Sequence, residues 1–72
     1  MKNALPDLRK QRGWSQQRLA EELGVSRQTV ISIERGRFDP SLPLAFRLAR
    51  VFECPIESIF DDDDADGADD AE

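Results

Sequence analysis

This chain predicts an all-α fold: a compact body of five helices with a helix-turn-helix near its middle. Three observations carry that prediction. Residues 15–36, SQQRLAEELGVSRQTVISIERG, hold two short apolar stripes that meet at Gly24, Val25 and Ser26. Elsewhere Leu, Ile, Ala and Phe recur at helical spacing, with Ser or Pro near the start of each run, and no stretch alternates as a strand would. The chain has 72 residues, one domain's worth. A domain of this size buries only about 60% of the surface its unfolded chain exposes, so the core is thin and a deep substrate cavity has no room.

The elements follow in order. The first helix is expected over residues 3–11, with Leu5 and Leu8 on one face. Pro6 suits its first turn, where a missing N–H leaves no bond unmade. Gly13 ends it. Ser15 is the expected N-cap of a second helix, residues 16–23, whose stripe is Leu19, Ala20 and Leu23. Gly24 then allows a left-handed turn. Ser26 caps a third helix, residues 27–35, with Val30 and Ile33 pointing inward and Gly36 as its stop. Arg37, Phe38, Asp39 and Pro40 form a loop. Ser41 caps a fourth helix, residues 42–52, with Pro43 early in it and Leu44, Ala45, Leu48, Ala49 and Phe52 as its apolar face. Pro55 opens a short fifth helix, residues 55–60, in which Ile56, Ile59 and Phe60 close the core.

Charge divides the chain in two. Residues 1–60 hold all ten Lys and Arg and seven of the fifteen acids, a net +3. Residues 61–72 hold eight acids and no base, a net −8. The overall −5 therefore describes a mildly basic body attached to an acidic tail. The tail consists of Asp, Glu, Ala and Gly, has almost nothing to bury, and is expected to be disordered. Three readings of it stay open: a solubilising extension, an intramolecular competitor for an anionic ligand of the basic body, and an adaptation to a salty cytoplasm.

Several function classes recede. One cysteine, Cys54, excludes an internal disulfide, which fits a reducing compartment. With one cysteine and no histidine, no metal site is expected. No apolar run approaches the roughly 20 residues of a membrane span, and none forms a signal peptide. No nucleophile–base pair and no phosphate-cradling glycine loop suggests an enzyme, and no cofactor is expected. The Asp run lacks the spaced ligands of a calcium loop.

The third helix carries the chemistry. Its outer face presents Arg27, Gln28, Ile31 and Ser32. Arg and Gln make paired hydrogen bonds to guanine and adenine edges in a major groove. A helix-turn-helix bearing them points to sequence-specific binding of double-stranded DNA. The plain alternative for Arg27 and Gln28 is a solvated helix face. Ser32 reaches less far and pairs with several bases. Ile31 has a methyl-bearing side chain that suits a thymine methyl. Small residues shape the turn: Ala20 where two helices approach closely, Gly24 at the reversal, Val25 as a plug between them.

With those features placed, the stretches ALPDLRKQRGWS, SQQRLAEELGVSRQTVISIERGRFDPSL and LAFRLARVFECPIESIF resemble the DNA-binding domain of the Cro/repressor family, the xenobiotic-response-element-like regulators of phages, bacteria and archaea. The resemblance covers about residues 2–60 and is strongest to short stand-alone members. It implies a lambda-repressor-like domain whose second and third helices form the reader. It further implies that Arg27, Gln28 and Ser32 read bases, with Ile31 beside them. Gln16 matches a position that anchors a phosphate and braces the first reading residue. Thr29, Arg35, Gly36 and Arg37 match phosphate-contacting positions. Arg9 and Glu34 match a structural ion pair between the first and third helices. The acidic tail is not part of the family pattern.

Other readings of single residues remain. Gln16 can instead complete the start of the second helix, where anions are also favoured. Arg9 and Glu34 can be independent surface charges. Trp14 is read as packing between the first and second helices, Cys54 as a small buried apolar residue. Phe38 packs on the core or joins a partner surface.

The expected protein is thus a DNA-binding domain over residues 1–60 and an acidic tail over 61–72. It is expected to act as a cytoplasmic transcriptional regulator, in the repressor sense, with no membrane attachment. A homodimer through the C-terminal region, residues 52–60, helped by the fourth helix, is expected from the apolar Ile56, Ile59 and Phe60. The alternative is a protein-interaction adaptor that keeps the helix-turn-helix as a scaffold and uses the tail or the Phe38 loop.

Overall fold

The computed structural model describes residues 2–61. Their helices are α1 (Leu5–Gln11), α2 (Gln16–Leu23), α3 (Arg27–Glu34), α4 (Leu42–Phe52) and α5 (Ile56–Ile59). Among the described residues none of these is long and apolar enough to cross a membrane.

Three helix starts follow one device. Ser15, Ser26 and Ser41 each stand extended before a helix and accept, through the side-chain oxygen, the backbone N–H three residues on: Arg18, Thr29 and Leu44. Each bond satisfies one of the amides that a helix start leaves without an intrahelical partner. The first helix starts differently. It begins at Leu5, two residues later than expected, which places Pro6 in the first turn where its ring is tolerated. Asn3 lies outside it and bends the chain in, its Oδ1 accepting from the Leu5 N–H at 3.1 Å.

Four helix ends also share one form. The chain passes through a left-handed residue at Gly13, Gly24, Gly36 and Glu53. Around Gly24, the Val25 N–H donates to the Ala20 carbonyl at 3.0 Å and the Gly24 N–H to Glu21 at 3.3 Å. The same pair of bonds recurs after α1, α3 and α4, the closure that caps orphan carbonyls at a helix C-terminus. The three glycines are the expected stops. Glu53 is not a glycine, and α4 closes on it with φ of 55°. Pro55 stands just before α5 rather than as its first residue, a shift of one position.

The core is apolar throughout. Leu5, Leu19, Leu23, Val30, Ile33, Leu48 and Ile59 are fully buried, and each such side chain contributes roughly 1.5–3 kcal/mol. α2 packs on both α3 and α4, and α4 on α5. Ala20 is wholly buried in this core, and Val25 and Cys54 are half-buried against it. Trp14 is also half-buried, and besides the ends of α1 and α2 it meets α4. Its ring tilts against Phe52, with centroids 5.8 Å apart. The guanidinium groups of Arg12 and Arg18 stand 5.2 and 5.1 Å from its centroid, within cation–π range.

One bridge closes the body. Asn3 and Phe60 pair in antiparallel fashion. The Ala4 N–H donates to Ile59 O at 2.7 Å and the Asp61 N–H to Lys2 O at 2.8 Å. Asp61, counted with the acidic tail, is therefore tied to the body by its backbone. The rest of the expected tail, residues 62–72, lies outside the described residues.

Candidate nucleic-acid interface

The third helix is held from one side and open on the other. Val30 and Ile33 are buried against α2, fixing the inward face. At about 100° per residue, Gln28, Ile31 and Ser32 then lie on the opposite face, with Arg27 at its edge. Arg27 and Gln28 are exposed. Ile31 and Ser32, expected on the exposed face with them, are instead half-buried. Ser26 caps the start, and its hydroxyl lies 3.0 Å from the Thr29 hydroxyl. Thr29, expected at a phosphate, thus has its oxygen engaged beside the helix N-terminus.

A partly buried polar network joins the end of α3 to α1 and α2. Arg9 donates to Glu34 through Nε at 2.7 Å and Nη2 at 3.2 Å, and through Nη1 to the Trp14 carbonyl at 2.9 Å. The two side chains are only 12% and 7% exposed. Gln16, at the start of α2, donates through Nε2 to Glu34 Oε1 at 3.1 Å. Glu34 therefore collects α1 and α2 onto the end of α3. The Gln16 amide is spent in part on this brace, which aligns α2 with the reader. At the same end of α3, Asn3 donates through Nδ2 to the Ile33 carbonyl at 2.8 Å.

The loop after α3 is shaped by its backbone. Gly36 has φ of 75°, its N–H reaches Ile33 O at 2.9 Å, and the Arg37 N–H reaches Ser32 O at 3.0 Å. Arg35 and Arg37 project as exposed cations on either side of it. Arg27 adds a third exposed cation at the opposite end of α3.

Two features are beyond sequence reading. Phe38 is 46% exposed and lies beside the outer face of α3. With Ser26, Gln28, Thr29 and Ser32 it lines a shallow concavity of about 180 Å³. It is neither a core residue nor remote from the reader. Arg47, on α4, donates through Nη1 to the Leu23 carbonyl at 2.6 Å. It thereby fixes the end of α2 where the chain turns toward α3. The first is signalled only by an aromatic residue in a polar loop, the second by nothing local.

Comparison with known proteins agrees with this geometry. Residues 7–59 match the family described as Helix-turn-helix. An uncharacterized HTH-type transcriptional regulator of Methanocaldococcus jannaschii is 53% identical over 60 residues, covering 83% of this chain and 91% of that protein. The regulator YgzD of Bacillus subtilis, of the same description, is 45% identical over 60 residues, with the same two coverages, 83% and 91%. A putative HTH-type regulatory protein of Haloquadratum walsbyi is 50% identical over 54 residues, and this chain spans 16% of its length. Among solved structures, the hypothetical transcription factor NHTF from Neisseria superposes with a TM-score of 0.64 at 29% identity, covering 71% of this chain and 57% of that one. With a family match across most of its helical body and relatives that it nearly spans, the chain belongs to the helix-turn-helix family of DNA-binding transcriptional regulators.

Proposed function

We propose that the protein binds duplex DNA sequence-specifically by laying α3 in the major groove. A B-DNA major groove is about 12 Å wide and admits one helix. The observation that carries this reading is the exposed pair Arg27 and Gln28 on a helix whose opposite face is locked in the core. Arg27 and Gln28 read base edges, Ile31 and Ser32 add apolar and hydroxyl contacts, and Phe38 forms the wall beside them. Arg35, the Gly36 backbone and Arg37 position the phosphate backbone, together with Thr29 and the start of α2 at Gln16. Arg9 and Glu34 hold the reader at its angle without touching DNA.

The body's net charge of +3 supports only modest nonspecific attraction. Two copies on symmetric half-sites one helical turn apart supply the missing affinity. We therefore infer a homodimer, paired through α4 and the C-terminal region, residues 52–60. Occupying such a site in the cytoplasm excludes other proteins from it, which is repression.

Selection of sites from random duplexes tests this reading. The expected result is one enriched sequence, arranged as an inverted repeat. Uniform recovery of all sequences overturns it.

A further inference from the structure

The acidic segment leaves the folded body beside the proposed reader. Asn3 pairs with Phe60, and the Asp61 N–H donates to Lys2 O at 2.8 Å. The same Asn3 donates through Nδ2 to the Ile33 carbonyl at 2.8 Å, in the last turn of α3. Paired residues of an antiparallel bridge stand about 5 Å apart. Phe60 is thus one such spacing, plus one Asn side chain, from the helix end that leads into Arg35, Gly36 and Arg37. Asp61 follows it directly.

Charge sets where the following residues are drawn. Residues 62–72 hold seven acids and no base. The hollow at the exit is lined by the acidic Asp7 and Glu57 as well as by Lys2. Like charge therefore disfavours a return onto α1 and α5. On the other side, Arg35 and Arg37 are exposed, as is Arg27 at the far end of α3. Glu34, the acid at the near end, is turned onto Arg9 and Gln16. Even with Asp39, residues 35–39 keep a net positive charge. Reach is sufficient. The 11 residues 62–72 span at most about 36 Å when extended. The eight residues of α3 are only about 12 Å long.

We propose that the acidic segment from residue 62 onward is an internal competitor for the outer face of α3, its carboxylates taking Arg35, Arg37 and Arg27 in place of DNA. A carboxylate accepts paired N–H bonds from a guanidinium as a phosphate does. Tethering makes the contact intramolecular, at an effective concentration of the order of millimolar, so individually weak pairs are enough. The contact presupposes the DNA reading above and adds a regulator to it. A duplex must displace the segment, so every duplex binds more weakly by one common factor.

The test compares the full chain with a full-length variant in which every acid from Asp62 onward becomes its amide, Asp→Asn and Glu→Gln. The first measurement uses no DNA: the Nε–H NMR signals of Arg27, Arg35 and Arg37. They are expected to differ between the two chains at 0.1 M salt and to coincide at 1 M, as the screening length falls from about 10 Å to about 3 Å. The second is duplex affinity. The variant is expected to bind at least about fivefold tighter at 0.1 M salt, the gap narrowing as salt rises. Coincident arginine signals at 0.1 M overturn the proposal even if the variant binds DNA more tightly, because net charge alone then acts. Altered signals with equal duplex affinities overturn it as well. A variant that prefers no duplex sequence defeats the DNA reading instead, while the arginine signals still decide the contact, so the two fail separately.

Discussion

Arg9 grips Glu34 with two parallel hydrogen bonds, Nε to Oε2 at 2.7 Å and Nη2 to Oε1 at 3.2 Å, across 25 residues of chain. Gln16 and the Trp14 carbonyl complete the set, so both charges are shielded from water yet matched. The pair joins α1 to the end of the proposed reader.

Removing one partner strands the other. Glu34→Ala leaves a nearly buried guanidinium without its carboxylate and is expected to destabilise by about 3 kcal/mol, as when a buried pair is broken. Arg9→Lys is also expected to lose stability, since an ammonium cannot span both carboxylate oxygens and the Trp14 carbonyl. Urea unfolding followed by Trp14 fluorescence measures both. A loss under about 0.5 kcal/mol for Glu34→Ala would reduce the pair to an ordinary surface contact.

The reading face separates stability from recognition. Arg27→Ala and Gln28→Ala touch exposed side chains and are each expected to change stability by less than about 0.5 kcal/mol. Each is expected to cost about 1–3 kcal/mol of discrimination against wrong bases. Competition between the selected duplex and scrambled duplexes reads this directly. Unchanged preference in both variants would move recognition elsewhere and favour the adaptor role.

Arg35 and Arg37 are expected to behave otherwise. Phosphate contacts carry no sequence information, so Arg35→Ala and Arg37→Ala should weaken all duplexes alike. Each should also lower the slope of log affinity against log salt by about 1. Titrations at several salt concentrations check this, and a loss confined to the preferred duplex would place the side chain at a base edge instead.

What was legible in the sequence was local. Ser15, Ser26 and Ser41 announce helix starts because a cap is decided within four residues, and Gly13, Gly24 and Gly36 announce ends for the same reason. The inward stripes of α2, α3 and α4 follow from periodicity alone. The pairing of Arg9 with Glu34 was accessible only through family resemblance. Three features were not accessible. The Asn3–Phe60 bridge is a single pair with no alternating pattern to betray it. The bond from Arg47 to Leu23 O depends on how α4 crosses α2. The place of Phe38 depends on the path of a loop, which neither spacing nor composition sets.

The helix closures give the last prediction, because two of them use different residues for one backbone shape. Gly24 and Glu53 both stand in the left-handed region, with φ of 74° and 55°. A Cβ at Gly24 would meet only the tip of Arg47 at 3.8 Å, an ordinary contact. Gly24→Ala is therefore expected to cost about 1–2 kcal/mol of backbone strain, offset by about 0.4–1 kcal/mol from a stiffer unfolded chain, a net loss of roughly 0.5–1 kcal/mol. Glu53 already bears that strain. Glu53→Gly releases it but frees the unfolded chain by about 0.4–1 kcal/mol. The net expectation is a stabilisation of roughly 0.5 kcal/mol. Paired urea titrations compare the two variants. Opposite signs support a shared backbone constraint. A destabilising Glu53→Gly would mean that the Glu53 side chain contributes more than its conformation costs.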